Sequence, residues 1–285
     1  MRRTRQALAI VGLAVLLVLG WCGYLALGGG HAQFADNSWQ SNQIRIQRYL
    51  FPTRCPDAVL IGSSVTGRFL PEYFRETGLP EAANLGLDGS GPLLGSLLVQ
   101  RRNDLPRVVV VESFLADKPW TANDSNLLAN ATGFSMQLAA ALPVLQAENR
   151  PSSLLYSWIK RRKESTYATL GRPASPVGPR NPTPAMSESA RRLTEALAEL
   201  QQKGVKVVIA RFPTGESRAG LLQDLPPDDP GLAMARSLKA PFLNVGKEVV
   251  ADGWEPLYTD GLHLNADSAR RVSAQLGKMV ASAVK

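Results

Sequence analysis

The chain has 285 residues, of which 45% are hydrophobic and 20% are charged, and its formal net charge is +8. It is too apolar to be disordered and long enough for one sizeable domain or at most two small ones. Its two cysteines exclude a disulfide-stapled scaffold and a cysteine-based zinc site, and the modest basic excess does not indicate a nucleic-acid partner. We therefore predict no metal, no cofactor and no nucleic acid.

The N-terminal segment predicts a membrane anchor. Three arginines among the first five residues precede an apolar run at residues 7–27, and about 21 helical residues match the roughly 30 Å hydrocarbon core of a bilayer. Arginines before a span keep the N-terminus in the cytoplasm. We predict that residues 1–30 form a single-pass anchor in the inner (cytoplasmic) membrane, followed by a linker at residues 31–56. Cleavage near residues 30–32 stays an alternative, as does a buried core helix.

The rest of the chain alternates short apolar runs with amphipathic helices. Strands are predicted at 57–61, 81–85, 107–111, 205–209 and 241–245, and helices at 93–100, 187–203 and 266–284. Buried strands that alternate with helices are typical of a parallel sheet covered on both faces. We therefore predict a three-layer α/β/α domain at residues 57–285 that faces the periplasm or the cell exterior.

Residues 114–185 interrupt this alternation. Within them, residues 152–165 are predicted to be helical, and residues 172–184 contain five prolines and predict a loop. The basic run at residues 158–163 fits either contact with lipid headgroups or a solvated helix face. We interpret the whole segment as an insertion, a lid or partner surface, within one domain.

Two polar motifs lie at the ends of predicted elements. The first strand ends in Gly62-Ser63-Ser64-Val65-Thr66-Gly67, which places Ser64 on a strand-to-helix turn. Asp260 and His263 stand three residues apart before the last helix. That spacing lets a carboxylate fix the imidazole tautomer while the other ring nitrogen faces a nucleophile. The other histidine, His31, lies beside the anchor, so His263 is the candidate base, although each motif alone also fits a structural turn.

Together the two motifs resemble those of the SGNH (GDSL-type) hydrolase superfamily. Ser64 stands at that family's nucleophile position, with Ser63 in place of its usual aspartate, and the spacing of Asp260 and His263 matches its last block. The resemblance implies a flavodoxin-like SGNH fold. It also implies a catalytic triad in which Ser64 attacks, His263 removes its proton and Asp260 orients the imidazole.

The oxyanion hole is where the chain departs from that family. Asn84-Leu85-Gly86 looks like the block whose glycine amide serves the oxyanion hole, so the resemblance implies amide donors at Ser64 and Gly86. The family's Gly-x-Asn block is absent, and Val111-Glu112-Ser113-Phe114 stands in its place. Loss of one oxyanion donor costs about 10²–10³ in rate. This departure predicts slow hydrolysis unless another group substitutes.

These features leave three functions open. The first is a membrane-anchored serine hydrolase of O-acyl groups, expected to be acetyl groups, on a polysaccharide. The second is a polysaccharide O-acetyltransferase that works with a multi-span membrane acyltransferase. The anchor and the altered blocks resemble the branch of the superfamily involved in O-acetylation of bacterial polysaccharides. The third is a non-catalytic glycan-binding or scaffold module.

Overall fold

The computed structural model describes residues 2–33, 35–75, 77, 79, 81–167 and 187–285. Within these residues one all-parallel sheet has the strand order β2-β1-β3-β4-β5, a common doubly wound order. The strands are β1 (Ala58–Gly62), β2 (Ala82–Gly86), β3 (Val108–Glu112), β4 (Lys206–Arg211) and β5 (Phe242–Asn244). The predicted α/β fold with a parallel sheet is confirmed, and each strand begins one residue after its predicted start.

Helices precede, connect and follow the strands. They are α1 (Arg2–Ala26), α2 (Ser38–Leu50), α3 (Pro92–Val99), α4 (Ala122–Thr132), α5 (Phe134–Ala141), α6 (Pro151–Tyr167), α7 (Glu188–Gln202), α8 (Arg218–Leu222), α9 (Pro230–Leu238), α10 (Val245–Val250) and α11 (Ala266–Ala283). Short 3₁₀ turns lie at residues 66–68, 71–74, 143–145 and 147–149. The three helices predicted on the domain outside the insertion are confirmed as α3, α7 and α11.

Hydrophobic side chains alternate between the two faces of the sheet. On β1, Val59 and Ile61 join the core on one face, and Ala58 and Leu60 join the core on the other, as the two-residue period of a strand requires. Residues of α2, α3, α4, α7 and α9 cover the first face, and residues of α10 and α11 cover the second. The sheet is buried on both sides, which explains the continuous apolar runs that predict its strands.

Helix α1 stands apart from both cores. Its segment Thr4–Ala26 is long and apolar enough to cross a membrane, and its most apolar window is not buried against the rest of the chain. No other helix in the described part of the chain has this length and composition. These properties are those of a membrane span, and a signal sequence shares them.

Residues 31–56, predicted to be a linker, contain a helix that belongs to the fold. Helix α2 begins after Asn37, whose side-chain oxygen accepts a hydrogen bond from the amide of Gln40 at 2.9 Å. Ile46 and Tyr49 are buried in the core on the first face of the sheet. The helix also buries four polar residues, Ser41, Asn42, Gln43 and Gln47. Because polar side chains make up much of the buried face, hydrophobic periodicity does not reveal this helix.

Helices α4, α5 and α6 occupy the described part of the predicted insertion. Leu127 of α4 and Met136 of α5 join the core on the first face, so this part of the insertion completes a layer of the domain. Helix α6 contains the helix predicted at residues 152–165. The proline-rich loop predicted at residues 172–184 lies outside the described residues.

Candidate active site

The turn after β1 presents a single serine to solvent. Every residue from Ala58 to Gly67 is buried except Ser64, which is partly exposed. The amide of Gly67 donates to the carbonyl of Ser63 at 3.0 Å, which closes the turn around Ser64. Ser64 therefore offers its hydroxyl at the carboxyl end of β1, the edge where open parallel sheets bind ligands.

The carboxyl group of Glu112, at the end of β3, fixes this turn. Glu112 is fully buried and accepts hydrogen bonds from the amide and the hydroxyl of Ser63, each at 2.8 Å. It also accepts from the amide of Thr66 at 3.3 Å and from its hydroxyl at 2.5 Å. Four donors on the two sides of Ser64 thus converge on one carboxyl group, which restrains the backbone between them.

Two glycines let the turn approach the sheet closely. A Cβ atom at Gly62 would collide with Thr66 and with the carboxyl group of Glu112. A Cβ atom at Gly86 would collide with the amide nitrogen of Gly67. Gly62 and Gly86 pair in register on β1 and β2. Because neither residue has a side chain, the turn has room to cross the ends of both strands.

The closing turn, residues 257–265, carries the other two predicted residues, Asp260 and His263. The amide of Thr259 donates to the carbonyl of His263 at 2.8 Å, which closes the turn on itself. Asn265 is buried, and its side chain caps the first turn of α11. The closing turn is therefore anchored to a long helix, and its geometry is defined by the packing of that helix.

The structure brings the three predicted residues into one hydrogen-bonded chain. His263 Nε2 lies 2.8 Å from Ser64 Oγ, and His263 Nδ1 lies 2.7 Å from Asp260 Oδ2. Asp260 Oδ1 accepts hydrogen bonds from the amides of His263 at 2.8 Å and Leu262 at 3.1 Å. One oxygen of Asp260 thus fixes its own backbone turn while the other orients the imidazole.

Hydrogen bonding keeps Asp260 ionised. Partial burial raises the pKa of Asp260, but hydrogen bonds from the amides of His263 and Leu262 and from the His263 ring outweigh it, so the pKa lies below the usual value. With Nδ1–H of His263 donating to this carboxylate, Nε2 is left to accept the hydroxyl proton of Ser64. The arrangement can therefore activate Ser64 as a nucleophile.

The hydrogen bonding of Gly86 contradicts its predicted oxyanion role. Its amide donates to Asn84 Oδ1 at 2.6 Å, so it is occupied within the protein. Within residues 63–67 and 87–91, all of which the structure describes, the amides of Ser64, Gly89 and Gly91 have no hydrogen-bond acceptor in the protein. Gly91 is buried, whereas Gly89 is exposed and has a left-handed φ of +76°. Ser64 and Gly89 therefore offer the amides that can meet an oxyanion.

Helix α2 and the loop after β3 hold the backbone around Gly89. Asn42 forms reciprocal bonds with Asp88, since its Nδ2 donates to the carbonyl at 2.9 Å and its Oδ1 accepts from the amide at 2.8 Å. Arg45 donates to the carboxylate of Asp88 at 2.9 Å, and Lys118 donates to the carbonyl of Gly89. Asn42 and Arg45 belong to the segment predicted to be a linker, so their contacts with Asp88 are not evident from the sequence.

No other feature identifies the ligand of this site. Within the described part of the chain, no three His, Cys, Asp or Glu side chains are grouped so as to hold a metal ion. No protein-family model, no curated protein and no solved structure matches the chain. The hydrogen-bonded chain of Ser64, His263 and Asp260 is therefore the feature from which a function has to be inferred.

Proposed function

We propose that the chain is a membrane-anchored serine hydrolase of the SGNH type that acts on O-acyl esters. The observation that carries the proposal is the 2.8 Å contact between His263 Nε2 and Ser64 Oγ, with Asp260 on the other ring nitrogen. A serine, an imidazole and a carboxylate linked in this order activate the serine hydroxyl as a nucleophile. The parallel sheet, with Ser64 after its first strand and Asp260 and His263 before the last helix, supports the SGNH resemblance.

In the proposed reaction, Ser64 Oγ attacks the carbonyl carbon of the ester while His263 Nε2 takes the hydroxyl proton. Asp260 holds the imidazole through Nδ1–H and stabilises the imidazolium that forms. The tetrahedral intermediate then expels the alcohol, which takes the proton from His263 and leaves the acyl group on Ser64. Water attacks this acyl-enzyme by the same route, which releases the acid and regenerates Ser64.

The negative oxygen of the intermediate would be met by the amides of Ser64 and Gly89. Both belong to turns at the carboxyl ends of neighbouring strands, β1 and β2. At the end of β3, Glu112 does not serve as a third donor, because its carboxyl group accepts hydrogen bonds from Ser63 and Thr66. A hole with two donors in place of three is expected to slow turnover by about 10²–10³.

Acyl transfer to a sugar hydroxyl is the second candidate, and the missing third donor favours it. An acyl-enzyme that reacts slowly with water persists until an acceptor hydroxyl arrives. In this version the chain is a polysaccharide O-acetyltransferase, and a multi-span membrane acyltransferase supplies the acyl group. Both versions use Ser64, His263 and Asp260 in the same roles.

We propose that α1 anchors the domain to the outer face of the inner membrane. The length, composition and exposure of Thr4–Ala26 support a single span, and the arginines before it favour a cytoplasmic N-terminus. The domain would then lie in the periplasm or at the cell exterior, beside acylated cell-surface polysaccharides. This location supports a polysaccharide ester as the substrate.

Labelling with a fluorophosphonate probe tests the nucleophile. The probe should label the purified full chain, and Ser64→Ala should abolish the labelling. Ser135→Ala is the matched control, because Ser135 is an exposed serine on α5, and it should label like the unmodified chain. Labelling that persists in Ser64→Ala contradicts the assignment, and no labelling of the intact chain leaves the non-catalytic scaffold as the better description.

Acetate release separates hydrolysis from transfer. The chain is incubated with p-nitrophenyl acetate, with and without an oligosaccharide acceptor, and both free acetate and acetylated sugar are measured. Acetate release without an acceptor supports the hydrolase. Acetylated sugar formed at the expense of free acetate supports the transferase.

A further inference from the structure

The described part of helix α6, residues 151–160, exposes several large apolar side chains. Leu155 and Trp158 are 59% and 60% exposed, and Ile159 is exposed as well, whereas Ser153 and Ser157 are buried. Leu154 packs inward against a small core that includes Ala32 and Ile44. A helix on the surface of a soluble domain normally buries its apolar stripe and presents its polar side to water. The three exposed apolar side chains of α6 therefore suit a surface that meets something other than water.

Helix α5 and the turn that follows it extend this apolar surface. Phe134 is 77% exposed, and Leu138, Leu142 and Leu145 are exposed as well. Phe134 and Leu138 are spaced by four residues and lie on one side of α5, and Leu142 directly follows the helix. We call the exposed large apolar residues between Phe134 and Ile159 the apolar surface; they are Phe134, Leu138, Leu142, Leu145, Leu155, Trp158 and Ile159. A large exposed apolar patch marks a protein or membrane interaction site.

The apolar surface lies beside the C-terminal end of α1. Helix α1 contacts the 143–145 turn, which carries Leu145. The chain leaving α1 is fixed to the next turn, since the amide of Ala32 donates to the carbonyl of Glu148 at 3.0 Å and the amide of His31 donates to Asn149 Oδ1 at 3.3 Å. The part of the apolar surface around Leu145 therefore lies close to the point where the chain leaves α1.

The sequence next to the apolar surface has the charge that suits an anionic lipid surface. Lys160, Arg161, Arg162 and Lys163 directly follow Ile159 on α6. Cationic side chains near a bilayer are attracted to anionic headgroups, and tryptophan is enriched at the level of the headgroups. An amphipathic helix that combines an apolar side with lysine and arginine lies in the interface of a bilayer.

We propose that the apolar surface is a second membrane contact, inserted into the outer interface of the bilayer that α1 crosses. The ligand is the anionic lipid bilayer itself, with acyl chains against Leu142, Leu155 and their neighbours. This contact rests on the proposed anchoring by α1. It fixes the orientation of the domain about α1, so the open edge of the sheet keeps a constant position relative to the membrane.

Site-directed spin labelling tests the proposal on the full chain in bilayers of phosphatidylethanolamine and phosphatidylglycerol. Single cysteines are introduced by Leu142→Cys and Leu155→Cys after Cys22→Ala and Cys55→Ala have removed the native thiols. Collision of each label with oxygen, which partitions into lipid, is compared with collision with a water-soluble nickel chelate. Labels at both positions should collide mainly with oxygen, and each labelled variant should keep the unfolding midpoint of the cysteine-free chain.

Two control positions make the outcomes distinct. Leu17→Cys lies within α1 and reports whether the anchor is inserted, and Leu222→Cys lies on α8, where Leu222 is exposed outside the apolar surface. A lipid signal at position 17 with aqueous signals at 142 and 155 overturns the second contact and leaves the anchor intact. An aqueous signal at position 17 overturns the anchor and the contact together. Labels at 142 and 155 that are immobile and shielded from both reagents overturn the lipid contact in favour of a protein partner.

Discussion

The hydroxyl of Ser64 is positioned by groups that do not themselves face the substrate. Ser63 and Thr66 on its two sides are bonded to Glu112, and the space that Glu112 occupies exists because residue 62 is a glycine. In this chain a glutamate on β3 and a serine before the nucleophile stand where the resembled family has other residues. The turn is held by a hydrogen-bond network that crosses from β1 to β3.

Removal of the Glu112 carboxyl group should therefore displace Ser64. We expect Glu112→Ala to lower kcat by about 10²-fold with little change in KM, because Glu112 does not meet the substrate. It should also lower the free energy of unfolding by about 1–3 kcal/mol for each buried donor left without an acceptor. Ester hydrolysis and urea unfolding measure the two effects.

Glu112→Gln is the conservative variant that separates positioning from mere bulk. Its oxygen can still accept from the amides of Ser63 and Thr66, and its amide can donate to the hydroxyl of Ser63, so most of the activity should return. Glu188→Ala, which removes an exposed glutamate of α7, is the control and should change neither quantity. Full activity in Glu112→Ala would show that the turn does not depend on this carboxyl group.

Asp260 should act on both activity and stability. We expect Asp260→Asn to lower kcat by about 10⁴-fold, because the amide stabilises the wrong imidazole tautomer. The pKa of Asp260 is lowered in the folded chain, so its carboxylate stabilises the fold above a pH of about 4, the usual value for aspartate, and this contribution is lost as the pH falls through the lowered pKa. Urea unfolding at a series of pH values should show the difference between the two chains shrinking on acidification. A difference that is constant with pH, as expected for Asp228→Asn in an exposed loop, would contradict this role.

At the scale of elements, the five strands and the helices α1, α3, α6, α7 and α11 are predictable from local sequence patterns. Helices α2, α4, α5, α8, α9 and α10 are not. The strands are buried on both faces and read as short apolar runs, and α7 and α11 carry clear stripes of Leu and Val. Helix α2 escapes prediction because it buries Asn42 and Gln47 along with Ile46. Asn42 gains its hydrogen-bond partners only when the loop after β2 packs against the helix.

The candidate site likewise contains some residues that local sequence motifs predict and others that only the tertiary fold brings into place. Ser64, Asp260 and His263 follow from motifs whose residues are close in sequence or end a strand. The role of Glu112 depends on the pairing of β1 with β3, which no local pattern contains. The occupied amide of Gly86 has a similar cause, since its acceptor is the side chain of Asn84, which hydrogen bonds to the carbonyls of Thr66 and Phe69 hold in place.

Helix α2 should influence catalysis from outside the site. We expect Arg45→Met to lower kcat about 10-fold while the unfolding midpoint changes little, because the loop that carries Gly89 loses its charged contact at Asp88 and a small displacement of an oxyanion donor is costly. Steady-state hydrolysis measures the effect. Arg54→Met removes a well-exposed arginine and should leave kcat unchanged; equal losses in both variants would contradict the role of α2.

At the scale of the whole molecule, the site exists only in the completed fold. Ser64 and His263 are 199 residues apart in sequence, and they meet because β1 lies inside the sheet while α11 packs on its second face. Residues of both motifs join that second core, among them Val65 and Leu264. The packing of the closing helix against the sheet therefore sets the distance between the Ser64 hydroxyl and the His263 ring.

The anchor predicts how the whole chain behaves in cells. The full chain should stay in the membrane fraction after alkaline carbonate extraction, and protease added to spheroplasts should digest the domain while a cytoplasmic marker survives. The reason is that Thr4–Ala26 has the length and apolar character of a span. Recovery of the chain in the soluble fraction, or protection of the domain inside intact spheroplasts, would contradict the proposed topology.

The most direct test of the proposed chemistry is the detection of the acyl-enzyme. The purified chain is mixed with p-nitrophenyl acetate, quenched in acid within the first turnover, digested and examined by mass spectrometry. The account predicts one acetyl group on the peptide that contains Ser64, and none after Ser64→Ala or His263→Ala. An acetyl group on another residue, or turnover without any acetylated peptide, would contradict it.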